Sequence, residues 1–123
     1  MNQIVKKLVD AHEDQLKEFR HHLHANPELS FEEYKTAEFI RENLTKMGIR
    51  LQENITGTST VGILEGSEPG PCIAFRADID ALPVKEENDL PYISKVPGVM
   101  HACGHDTHTA CLLSLASILS SHK

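Results

Sequence analysis

Between Asn2 and Ala25 the apolar residues Ile4, Leu8, Leu16, Phe19 and Leu23 recur at near-helical spacing, with His12 in the place of one of them. This predicts one amphipathic helix, ended at "NP" because the residue before a proline is pushed out of the helical region. A second helix has better-marked ends. Ser30 can cap it, Glu33 can complete a capping box, and Leu29 can staple against Tyr34. Tyr34, Ala37, Ile40, Leu44 and Met47 then form one apolar stripe, and Gly48 supplies the stop.

Beyond Gly48 the pattern shortens to β-type runs. "IRLQENI" and "STVGILEG", separated by a Thr-Gly turn around Gly57, predict a hairpin. After the turn "SEPGP", the apolar run "CIAF" at residues 72–75 reads as a short strand buried on both faces. From Leu82 to Val99 there is no period, and Pro83, Pro91 and Pro97 predict an irregular loop of the length that compact domains reserve for function. "ACLLSLASIL", at residues 110–119, is apolar nearly all round and predicts a helix covered on several sides.

A chain of 123 residues suffices for one domain with its own core. Its formal charge of −6 argues against a general nucleic-acid or membrane-surface binder, which would cluster Lys and Arg on one face. No apolar run approaches the ~20 residues needed to cross a bilayer, and the first residues lack the apolar stretch of a secretion signal, so a cytoplasmic protein is expected. The three cysteines are odd in number and show no disulfide-framework spacing. Cys72, in an apolar strand, and Cys111, in an apolar helix, are expected to be small core residues. Cys103 has different neighbours.

Two stretches carry chemical potential. In "RADID" an extended backbone sends Asp78 and Asp80 to one side at the end of a buried strand, where ligand sites of α/β sheets form. Such a pair suits a metal ligand with its supporting partner, an acid/base dyad, or merely a polar strand end bonded to turn amides or Arg76. In "MHACGHDTH" one glycine separates Cys103 from His105, so both can converge on a divalent ion, for which thiolate and imidazole are good ligands. Asp106 and Thr107 can cap the helix that follows, whose positive end favours a deprotonated thiol and a neutral imidazole. A nucleophilic cysteine is the competing reading, weakened because His105 and Asp106 lie too close in sequence to act as base and orienter. His101 and His108 stay open between ligand, support and surface.

Taken together, "HHLHANPELSFEEYKTAEFI", "FRADIDALPVKEENDLPYIS" and "GVMHACGHDTHTACLL" resemble the N-terminal part of the metal-dependent amidohydrolases that include hippurate hydrolase, N-acyl-amino-acid amidohydrolases and N-acetyldiaminopimelate deacetylase. The resemblance implies an α/β fold, an α/β/α sandwich of the zinc-peptidase-like type, of which residues 1–123 are the N-terminal part of the catalytic domain. It implies Cys103 and His105 as metal ligands, with Asp78 nearest the metal and Asp80 behind it as the catalytic-site aspartates. It also implies one or two divalent ions (Zn, Mn or Co), a small N-acyl amino acid as substrate, and a homodimer or oligomer for the complete enzyme. The family's general-base glutamate, its later glutamate and histidine ligands and its dimerisation domain have no counterpart in these residues. The chain by itself is therefore expected to be an incomplete, inactive enzyme, or else a truncated product acting as a weak metal-binding or interaction module.

Overall fold

The computed structural model describes residues 2–53 and 57–122. The predicted first helix is two helices, α1 (Gln3–Ala11) and α2 (Glu13–Ala25), broken at His12, whose φ of −108° and ψ of 5° leave the helical region. The His12 ring donates to the Leu8 carbonyl at 2.8 Å. A side chain that bonds the preceding turn competes with continuation of the helix. The Asn2 side chain caps α1 by accepting from the Ile4 amide at 2.9 Å, but α1 buries nothing. Of the five apolar positions read from the pattern, only Phe19 and Leu23, both on α2, are buried.

Helix α3 (Tyr34–Lys46) buries Ala37, Ile40 and Leu44, as its stripe predicts, while Tyr34 stays exposed. The predicted capping box does not form. Ser30 turns to Asp80, and the Glu28 carboxylate accepts the Lys35 and Thr36 amides at 3.1 and 2.7 Å. The N-terminal amide groups of a helix donate to any oxygen that reaches them, and Glu28 arrives from outside the four-residue window of the motif. The C-terminus follows expectation. Gly48 takes φ +71°, its amide bonds Thr45, and the Ile49 amide bonds Leu44. This is the Schellman arrangement, and it sends Ile49 back into the core beside Leu44.

The hairpin is present: β1 (Arg50–Gln52) pairs antiparallel with β2 (Val61–Ile63), Leu51 opposite Gly62. Residues 54–56 of its predicted turn lie outside the described residues. Residues 72–75, expected as a buried strand, form no strand; Ile73 is 72% and Phe75 59% exposed. A strand buried on both faces needs pairing neighbours, and the hairpin is the only sheet among the described residues. Cys72 and Cys111, expected in the core, are both exposed. Leu82 to Val99 is the irregular loop that its prolines predict.

Helix α4 (His105–Ser121) crosses α2 and α3, and Phe19, Leu23, Ile40, Leu44, Ile49, Ala110 and Leu113 meet in one core. Only one face of α4 is covered; Cys111 and Leu119 on the other are exposed. No helix of the described residues is long and apolar enough to cross a membrane.

Candidate metal centre

Three segments meet at the start of α4. Gly104 occupies the cap position with φ +84°, a left-handed conformation that a side chain would strain, and so turns the chain between Cys103 and His105. Asp106 does not cap α4 as predicted. It lies in the first turn, 1% exposed, and bonds backward into α2. From the other side, Ala81 bridges to Leu29 and its amide donates to the Glu28 carbonyl at 2.8 Å, which fixes Asp80 beside the turn.

His105 Nδ1 lies 2.8 Å from Asp80 Oδ1 and 3.2 Å from the Asp80 carbonyl oxygen. The Cys103 thiol reaches the same carbonyl at 3.7 Å. Asp80 is held below the usual carboxylate range, chiefly by the Ser30 hydroxyl, which outweighs the opposing effect of burial, and further by His105. An ionised carboxylate only accepts, so a proton of His105 sits on Nδ1, and in the neutral ring Nε2 is the nitrogen that carries the lone pair. An imidazole oriented by a carboxylate, with its other nitrogen available and a thiol beside it, is the donor chemistry of a borderline divalent ion.

The carboxylate of Asp78 turns to Arg76, while its carbonyl accepts from Thr109 at 3.0 Å. The structure therefore brings together Cys103, His105 and Asp80, and engages Asp78 separately. Among the described residues no group of three or more His, Cys, Asp or Glu side chains is arranged to hold a metal ion. The residues present fit two ligands and one supporting carboxylate. His108 is exposed, its ring 5.5 Å from that of His105. His101 is 4% exposed with both ring nitrogens lacking a hydrogen-bond partner, and burial pushes its pKa down.

Sequence reasoning missed the polar group behind this turn. His24 Nδ1 meets Asp106 Oδ2 at 2.7 Å and its Nε2 meets Glu86 Oε1 at 2.9 Å, with all three side chains almost wholly buried. Two carboxylates need a proton on each ring nitrogen, so His24 is an imidazolium. Burial disfavours that charge, but the bonds to Glu86 and Asp106 outweigh it and raise the His24 pKa. Glu86 is likewise disfavoured by burial, yet Asn88, the Ser94 amide and His24 together bring it down to about 2. Arg20 adds a contact to Asp106 at 3.5 Å, and Tyr92 of the loop stacks on His21 with ring centroids 3.9 Å apart. The partners of His24 lie 62 and 82 positions away, beyond any local pattern. The only signal in the sequence is a histidine-rich helix end.

The fold that carries this turn is an α/β fold of the peptidase-like kind. Residues 74–123 match the Peptidase family M20/M25/M40. The chain is 52% identical over 116 residues to an N-acyl-L-amino acid amidohydrolase of Geobacillus stearothermophilus, covering 94% of this chain and 31% of that one. It is 48% identical over 124 residues to thermostable carboxypeptidase 2 of Saccharolobus solfataricus, covering 98% and 32% respectively. Its fold matches the crystal structure of the Bacillus subtilis YXEP protein, described as a dinuclear metal-binding peptidase of the M20 family, with a TM-score of 0.87 and 44% identity. That match covers 91% of this chain and 32% of that one. The chain is thus similar to M20 peptidases and amidohydrolases and shares their α/β fold, and it spans about a third of the length of these proteins.

Proposed function

We propose that Cys103 and His105 are ligands of a divalent metal in an amidohydrolase of N-acyl amino acids, and that the chain is the N-terminal part of its catalytic domain. The observation that carries this is the Asp80 carboxylate on His105 Nδ1, which leaves Nε2 free to ligate beside the Cys103 thiol. Asp80 fixes the imidazole's orientation and tautomer, Ser30 keeps Asp80 ionised, and Asp78 stands in the adjoining segment, held by Arg76 and Thr109. A bound zinc, manganese or cobalt ion would polarise the scissile carbonyl and lower the pKa of a water molecule. The amide of an N-acyl amino acid is the substrate bond named for the Geobacillus relative; the peptide bond cut by a carboxypeptidase is chemically the same.

Two ligating side chains are fewer than the three or four of complete zinc sites, so the chain should hold metal weakly and turn over little substrate alone. Titration with cobalt(II) tests the site. The wild-type chain should develop thiolate-to-cobalt charge-transfer absorption, and Cys103→Ala and His105→Ala should lose it. Equal metal content in wild type and Cys103→Ala would refute the assignment. Clear metal-dependent hydrolysis of an N-acyl amino acid by the chain alone would refute its incompleteness.

A further inference from the structure

Asp80 and Cys103 lie on opposite sides of the loop formed by residues 82–99. Leu82 and Met100 close its ends through reciprocal backbone bonds of 2.9 and 3.0 Å, just after Asp80 and just before Cys103. The loop has no secondary structure of its own to stiffen it. Its interior is organised instead around Glu86, which accepts the Ser94 amide at 2.6 Å and the Asn88 side chain at 3.0 Å. Glu86 is in turn held by His24 Nε2, and the other nitrogen of the same ring holds Asp106, the neighbour of His105 in the first turn of α4.

We propose that His24 is a positioning residue of the candidate metal centre: through Glu86 it fixes the loop whose ends carry Asp80 and Cys103, and through Asp106 it fixes the helical turn that carries His105. The proposal rests on the metal reading above. An anchor for packing alone would need no second bond. Here one buried ring spans two carboxylates from segments that converge on one turn, so displacement of either shifts Asp80 and His105 relative to each other. Supporting partners of metal ligands characteristically change metal affinity by about 10–100-fold when removed.

Two substitutions separate the arms, because the amide nitrogen of Asn falls near the place of Nδ1 and that of Gln near Nε2. His24→Asn should keep the Asp106 bond and free the loop; His24→Gln should keep the Glu86 bond and free the first turn of α4. Amide hydrogen exchange should show lost protection in the loop for His24→Asn and at the start of α4 for His24→Gln. Cobalt(II) affinity, read from the thiolate charge-transfer band, should weaken about tenfold in each. Unchanged exchange in both variants overturns the proposal, as does altered exchange with cobalt affinity unchanged. Should the wild type give no band, the metal reading fails separately. Positioning is then read from the NMR resonances of the His105 ring, which should move in both variants; identical resonances in all three proteins overturn it.

Discussion

Glu86→Gln removes one charge from the buried group and nearly preserves its shape. Folding depresses the Glu86 pKa from 4.5 to about 2. A shift of that size corresponds to about 3 kcal/mol of stability where the carboxylate is ionised in both states. Because the folded pKa is the lower one, this contribution is complete above pH 4.5 and is lost as pH falls toward about 2. At about pH 3 a little under half of it should remain. The variant should therefore lose about 3 kcal/mol at about pH 6 and about half of that at about pH 3. With a urea m-value of about 1.5 kcal/mol/M, the larger loss moves the denaturation midpoint by about 2 M. His24, whose pKa is raised, contributes stability that is complete below pH 6.5 and lost as pH rises through its folded value. Glu86→Gln should flatten that alkaline loss as well. His22 and His101, both lowered, act with the opposite sign, but they are present in both proteins and largely cancel in the difference. Urea denaturation of the two proteins across this pH range is the assay. A loss below about 0.5 kcal/mol at about pH 6, or an equal loss at both acidities, would refute the picture of a buried ionised clamp.

Glu28→Ala should cost about 1 kcal/mol by uncapping α3, whereas Ser30→Ala should leave α3 intact and raise the Asp80 pKa, which carboxyl NMR would report. Equal effects of both on helix stability would restore the capping box. Gly104→Ala meets no atom within 4 Å, so its cost of about 1–2 kcal/mol should be backbone strain alone, with Gly104→Asn milder in thermal unfolding. A Cβ on Gly62 would stand 3.0 Å from Ile49 Cγ2 and 3.1 Å from Leu44 Cδ1. Gly62→Ala should therefore cost about 1–3 kcal/mol by crowding the core, and an unchanged urea midpoint would contradict that.

Features set by neighbouring residues were legible in the sequence. The α3 stripe, its glycine stop, the hairpin and the long prolyl loop all depend on spacing within a few positions, where periodicity and backbone preference act. The glycine turn that lets Cys103 and His105 both reach the Asp80 carbonyl is local for the same reason. Misreadings arose where a distant or unexpected partner won. His12 bonds its own preceding turn and breaks a helix whose apolar spacing looks continuous. Glu28 reaches the α3 amides ahead of Ser30, which Asp80 engages from 50 positions away. Asp106 resembles a cap in sequence, yet His24 draws it inward. Burial of residues 72–75 depends on strand neighbours that no local pattern can supply.

The closure of Leu82 on Met100 has a consequence for how this chain can vary. Because the site-bearing segments are joined at the neck of the loop, the length of chain beyond the neck does not set their separation. Doubling such a segment costs only about 0.6 kcal/mol of closure entropy. Between Glu86 and Tyr92, two of the residues that tie the loop to α2, the chain is a natural splice point. A peptide epitope or reporter inserted between Asp89 and Leu90, beyond the Asn88 bond to Glu86, would hang outside the neck and leave the turn at Gly104 where it is.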